Sequence, residues 1–154
     1  MKILIVEDDY LQADWIRANL EQAFSNLETG IDIDQIGTEL EFRARLADIP
    51  KEPPDVIIMD VMLRWTDPSP DMQLPPDDVQ EKGFYRAGLR CARLLAKDKR
   101  TSDIPVILYT VLEHIDLKGD LQGLPERVIY LLKKSDPTEL IQRIRDLTHL
   151  PQVS

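Results

Sequence analysis

Cysteine is nearly absent from this chain: Cys91 is the single one among 154 residues. One thiol closes no internal disulfide, so a stapled secreted fold is excluded and a reducing compartment fits. No apolar run approaches the ~18 residues that a membrane-spanning helix requires. The N-terminus carries Lys2 and turns acidic by Glu7, which is not a signal-peptide pattern. Glycine is scarce, and none of the six gathers into a phosphate-cradling loop. The two histidines, His114 and His149, are isolated, and a surface role is the default for both. Basic residues are outnumbered, 19 Lys and Arg against 28 Asp and Glu, for a net charge of −9. Nucleic-acid surfaces need clustered Lys and Arg to replace counterions, and anionic membranes repel such a chain. Neither nucleic acid nor a membrane is therefore expected as a partner. What remains is 43% hydrophobic and 31% charged, the composition of one ordinary globular, soluble, cytoplasmic domain.

Against those absences stand short, dense apolar runs. Lys2 to Val6 (KILIV), Val56 to Met59 (VIIM), Val106 to Tyr109 (VILY) and Val128 to Leu132 (VIYLL) are β-branched and apolar on successive positions. Such runs suit a parallel sheet covered on both faces. Ile31 to Ile36 alternates apolar and polar residues and reads as a strand nearer an edge. Helical patterns separate these strands. After Asp9, which is placed to cap a helix, Leu11, Trp15, Ile16, Leu20 and Phe24 recur at helical spacing. Thr38 with Glu41 opens a second helix as a capping box, with Leu40, Phe42 and Leu46 as its stripe. A third runs from about Phe84 to Ala96. The last begins at Asp136 with Pro137 in its first position, and Leu140, Ile141, Ile144 and Leu147 form its core face. Strands alternating with helices predict an α/β, doubly wound, five-stranded parallel sheet in a three-layer sandwich. Residues 1–154 read as a single domain.

One segment breaks the pattern. Residues 65–81 hold Pro68, Pro70, Pro75 and Pro76, and every charge in them is acidic. Proline at this density argues against both helix and central strand, so the segment reads as an inserted loop. Loops beyond about 12–15 residues are uncommon in compact domains and are usually functional or disordered.

Function in doubly wound sheets lies at the carboxyl ends of the strands. The first strand ends in Glu7-Asp8-Asp9, the third in Asp60, the fourth in Thr110 and the fifth in Lys133-Lys134. On one sheet edge these bring carboxylates, a hydroxyl and an ammonium together. Clustered carboxylates repel one another, and a hard cation such as Mg²⁺ relieves the repulsion while keeping several waters. A carboxylate is also a nucleophile able to form an aspartyl phosphate. The metal and Lys133 would neutralise charge on the phosphoryl oxygens, and Thr110 would donate to the same group.

The runs MKILIVEDD, PDVIIMDVML, IPVILYT and YLLKKSDPTEL, in this order, resemble the receiver domain of two-component response regulators. The resemblance covers nearly the whole chain except the proline-rich segment, and implies the flavodoxin-like fold. It implies Asp60 as phosphoacceptor, with Glu7, Asp8, Asp60 and the backbone carbonyl of Met62 as ligands of Mg²⁺. It implies Thr110 and Lys133 as the conserved-type hydroxyl and lysine, and Thr110 with Tyr130 as the switch pair. The implied donor is a sensor histidine kinase or a histidine phosphotransfer protein. Because the chain stops just after the last helix with no output domain, output would pass through a downstream protein, with a homodimer possible.

Departures from the family pattern are informative. Lys134 follows Lys133 where proline, often through a cis bond, is usual. Arg64 replaces a common proline, and Val111 a small residue. The helix expected within residues 113–126 is interrupted by Gly119, Gly123 and Pro125. Asp60 and Thr110 lie 50 positions apart, more than the family habit, because of the insertion. These departures keep open a pseudo-receiver, a phosphorylation-independent docking or dimerisation module. A Mg²⁺-dependent phosphohydrolase is disfavoured, because Met62 stands where such enzymes carry a second aspartate as acid/base.

Overall fold

The computed structural model describes residues 1–150; the last four positions of the expected 1–154 domain lie outside the described residues. Five strands alternate with helices: β1 (Lys2–Val6), β2 (Asp32–Ile36), β3 (Val56–Met59), β4 (Val106–Thr110) and β5 (Val128–Leu132). The helices are α1 (Tyr10–Ala23), α2 (Glu39–Arg45), α3 (Asp77–Lys82), α4 (Ala87–Lys97), α5 (His114–Leu117) and α6 (Thr138–Leu147). A single 3₁₀ turn, Phe84–Arg86, leads into α4. All strand pairs are parallel, in the order β2-β1-β3-β4-β5. The order reverses between β1 and β3, and the crevice at that switch point is where such sheets bind ligands.

Period-two alternation along each strand divides the core. Leu4, Val6, Ile57, Met59, Val106 and Leu108 face one side, against Phe42 of α2, Leu89 and Leu95 of α4 and Leu117 of α5. Ile3, Ile5, Val56, Ile58, Ile107 and Tyr109 face the other, against Ile16 and Leu20 of α1 and Leu140 and Ile144 of α6. This is the expected three-layer sandwich. Strands β1, β3 and β4 are buried on nearly every residue, and β2 is a half-buried edge, as the alternation in 31–36 foretold; β5, whose apolar run read as covered on both faces, is also half-buried because it ends the sheet.

Helix starts follow their side chains. Asp9 accepts from the N–H groups of Leu11 and Gln12, and Thr38 from that of Glu41. Leu11 departs from its expected core position: it lies in the first turn of α1, 81% exposed, and Ala13 takes the inward place. Asp136 accepts from the N–H of Thr138, so α6 starts one residue past the expected Pro137. The interrupted segment 113–126 supports only the four residues of α5.

The insertion holds a helix where none was expected. Pro76 closes the proline cluster and precedes α3, where a missing N–H costs nothing because the first donors of a helix lack partners anyway. Val79 is the buried anchor of α3.

Beneath the loop that carries Asp60 lies a close approach that only glycine permits. The N–H of Gly88 donates to Val61 O at 2.9 Å. A Cβ at Gly88 would fall 2.1 Å from the carbonyl oxygen of Asp60 and 2.8 Å from Val61 Cα. A second feature without a sequence signal is a buried ion pair. Glu39 is fully buried at the start of α2 and takes Arg90 Nε and Nη2 of α4 at 2.8 and 2.7 Å. Such a fork satisfies both carboxylate oxygens, the condition for burying charge without a large desolvation loss.

Candidate functional site

The carboxyl ends of β1 and β3 place Glu7, Asp8 and Asp60 on one side of the switch point. One oxygen from each carboxylate lies within 4.8 Å of the others, and Glu7 and Asp60 are buried while Asp8 is half-buried. Lys133, one residue beyond β5, spans the two buried groups. Its Nζ donates to Glu7 Oε2 at 2.6 Å and to Asp60 Oδ2 at 2.9 Å. The other oxygens are positioned by backbone: Glu7 Oε1 accepts from Asp9 N at 3.1 Å, and Asp60 Oδ1 from Met62 N at 3.3 Å.

Three carboxylates and one ammonium leave a deficit of positive charge in a largely dry corner. Burial, with the charge of Asp60 second, pushes the Glu7 carboxyl up from 4.5 to about 7, against the pull of Lys133. Burial works to lower the Lys133 ammonium, but the charges of Asp60 and Glu7 outweigh it and hold it above its ordinary value. A hard divalent cation fits this donor set: oxygen ligands only, net negative charge, and an open side for water. That open side is a cleft of about 740 Å³, lined by Glu7, Asp8, Asp60, Met62, Val111 and Lys133 together with Trp15, Phe84 and Lys134.

The remaining expected residues are placed differently. Thr110 ends β4 on the same sheet edge, but it is fully buried and is not part of the cleft wall; its neighbour Val111 is. Its Oγ1 accepts from Leu112 N at 3.2 Å. Tyr130 sits on β5 away from the cleft, half-buried, its hydroxyl donating to Leu112 O at 2.7 Å and its ring edge-on to His114 at 5.3 Å. Thr110 and Tyr130 thus both bond to Leu112, one through its N–H and one through its carbonyl. Lys134 turns outward and pairs with Glu139 at 2.8 Å, which leaves Lys133 as the lysine of the site. The Lys133–Lys134 peptide, like all those described, is trans.

Arg64, noted above for replacing a common proline, also reaches this corner. Its backbone N–H donates to Asp8 Oδ2 at 2.8 Å, and its Nε stands 3.5 Å from the same oxygen. Only its position four residues after Asp60 marks it. The base of the insertion is fixed by the next contacts along the chain: the first N–H groups of α2, from Glu39 and Leu40, donate to Arg64 O and Trp65 O.

Fold and site together resemble those of the receiver domains of two-component response regulators. The chain is 30% identical over 147 residues to the DNA-binding dual master transcriptional regulator RpaA of Synechocystis sp., covering 95% of this chain. The chain spans about half of that relative, 48% of its length. Among solved structures it resembles the phosphorylated cyanobacterial phytochrome response regulator RcpA, with a TM-score of 0.64 at 19% identity over 95% of this chain and 89% of that one. It also resembles the magnesium-coordinated receiver domain of a sensor histidine kinase from Pseudomonas aeruginosa, with a TM-score of 0.66 at 17% identity over 96% and 97% of the two chains. The receiver domain of a DNA-binding response regulator from Colwellia psychrerythraea matches with a TM-score of 0.65 at 21% identity, over 97% and 98%. No family model matches the sequence.

Proposed function

We propose that this receiver takes a phosphoryl group on Asp60 from a phosphohistidine of a sensor histidine kinase or a histidine phosphotransfer protein, and signals through a protein partner. The observation that carries the reading is Lys133 Nζ held between the two buried carboxylates of Glu7 and Asp60, with Asp8 within 4.8 Å. Asp60 Oδ1, bonded only weakly to Met62 N, attacks phosphorus. The N–P bond of the donor breaks and the imidazole leaves with the electron pair and takes up a proton. Lys133 is already beside Asp60 and pairs with a phosphoryl oxygen as charge builds there. Glu7, Asp8, Asp60 and the carbonyl of Met62 would hold Mg²⁺, which when bound neutralises the transferring phosphoryl oxygens. Thr110, once drawn to the phosphoryl group, gives up the Leu112 N–H, and Tyr130 is bonded to the carbonyl of that same residue. This shared partner is the route by which the site reaches the surface around α5.

The module is cytoplasmic and not a phosphohydrolase: Met62 and Leu112 carry no group that positions a water, so the phosphorylated form decays slowly. The test is intact-mass spectrometry after incubation with acetyl phosphate and Mg²⁺. A gain of one phosphoryl group, absent in Asp60→Asn and absent without Mg²⁺, is the expected result. No gain in the native chain would overturn this reading in favour of the pseudo-receiver.

A further inference from the structure

The guanidinium of Arg64 lies between the acidic corner and the insertion. Its Nε is 3.5 Å from Asp8 Oδ2, and its Nη1 is 3.6 Å from Asp67 Oδ1. Asp8 is the most exposed of the three clustered carboxylates, and among the described residues its Oδ2 is partnered by Arg64 alone, through the backbone N–H and Nε. The side chain of Arg64 is 46% exposed, so it turns with little packing to lose. Trp65, next in the chain, is tied to the insertion: its indole Nε1 donates to Gln73 O at 2.9 Å, and Arg43 lies 5.6 Å over its ring.

We propose that Arg64 is a displaceable internal cation, a positioning residue that competes with a divalent ion for Asp8 and passes metal occupancy to the inserted segment. The proposal rests on the reading of Glu7, Asp8 and Asp60 as a metal site. Without the ion, the guanidinium supplies part of the positive charge that the three carboxylates lack. With it, a double positive charge arrives a few ångströms from the guanidinium, and the two repel. Asp67 is already within reach as the alternative partner, so the arm swings from Asp8 to the insertion while the Arg64 backbone N–H keeps hold of Asp8. Two discrete arrangements biased by one ligand are what a metal-linked switch requires. The metal is bound more weakly than the carboxylates alone would allow, because displacing the arm is part of every binding event.

The test is calorimetric titration with Mg²⁺ of the full chain and three variants. Arg64→Ala, which keeps the backbone N–H, is expected to bind Mg²⁺ roughly fivefold tighter at low salt. Arg64→Lys, which keeps a charge, stays near the native affinity. Asp67→Ala removes the alternative partner and weakens Mg²⁺ binding, and that weakening disappears in the Arg64→Ala background. A Trp15→Phe background leaves Trp65 as the single tryptophan, and its emission changes on titration only while Arg64 is present. Affinity in Arg64→Ala equal to or weaker than native overturns the proposal and leaves the metal site standing. Absence of Mg²⁺ binding in both the native chain and Arg64→Ala overturns the metal reading and this proposal with it.

Discussion

Replacing Glu7 by Gln makes the protein more stable at neutral pH, although Glu7 sits at the heart of the site. Burial and Asp60 raise its carboxyl from 4.5 to about 7. A carboxyl held above its unfolded value binds its proton more tightly in the folded state. Its contribution to stability is therefore fully present below pH 4.5 and is lost as pH rises through about 7. At about 1.36 kcal/mol per pH unit the loss amounts to about 3 kcal/mol. Glutamine imitates the protonated form and still offers an oxygen to Lys133, so Glu7→Gln keeps what the native chain loses. In chelator at about pH 8 the variant should melt roughly 5–10 °C higher, and the two curves should converge below pH 4.5. Asp34, Asp48, Asp78, Asp98 and Asp136 are all held below their ordinary value by hydrogen bonds to neighbours, so their contributions fade only in more acid solution. The difference between the two proteins isolates Glu7. Mg²⁺ then narrows the gap: at about ten times its Kd it adds about 1.4 kcal/mol to the native chain and little to the variant. The assay is differential scanning calorimetry across pH, with and without Mg²⁺. A native protein that gains stability from pH 5 to 7.5 in chelator, in parallel with Glu7→Gln, would refute the reasoning.

Three further outcomes follow from contacts away from the carboxylates. Gly88→Ala drives a methyl group into the Asp60 carbonyl, so the unfolding free energy from denaturant titration should drop by several kcal/mol, and Mg²⁺ affinity should fall with it because the Asp60 loop is pushed out of place. Glu39→Gln leaves Arg90 buried with half its partner and should cost about 3 kcal/mol or more in urea unfolding; the double variant Glu39→Met with Arg90→Leu should recover a good part of that loss. Tyr130→Phe removes the bond to Leu112 O and should leave phosphorylation on Asp60 intact in the mass assay, while shifting the Leu112 and His114 amide resonances.

The fold was legible because its determinants are local. Each buried strand is a run of β-branched residues, the starts of α1 and α2 carry their own caps, and period-two patterning assigns faces without tertiary information. That the carboxylates and Lys133 meet on one edge was legible for a related reason: strand ends in a parallel sheet share an edge, so position in the chain fixes position in space; Thr110 shares that edge but is buried outside the cleft wall. What escaped depends on pairs distant in sequence. Glu39 looks like an exposed residue in a first helical turn until Arg90, 51 positions away, arrives to neutralise it. Gly88 looks like a mild fault in a helix until the Asp60 backbone is laid against it. Arg64 carries no periodicity at all. The proline count in residues 65–81 argues against helix, yet proline disrupts only the helical turn that precedes it and is tolerated at a helix start, and α3 begins just after the last one.

The insertion shows how an added segment is made rigid without a core of its own. Lengthening a loop costs little in closure entropy, so the question is what orders the segment rather than what tolerates it. Its start is held by α2, whose first N–H groups need acceptors and find them in Arg64 O and Trp65 O. Its end is held by Arg90, which donates to Gly83 O at 2.9 Å. Between them Arg43 reaches Asp78 of α3 at 3.1 Å and Glu39 at 3.0 Å while lying over Trp65. Arg43 therefore joins α2, α3 and the start of the insertion. Arg43→Ala should cost only about 1–2 kcal/mol overall, since Glu39 keeps Arg90 and the Asp78 carboxylate is largely exposed. Its local effect should be larger: amide exchange in Asp77–Lys82 should quicken by roughly tenfold while the amides of β1 and β3 keep their protection relative to global unfolding. Equal acceleration in strands and insertion would mean that the segment is welded to the core, and that its order is a property of the whole domain rather than of this one cation.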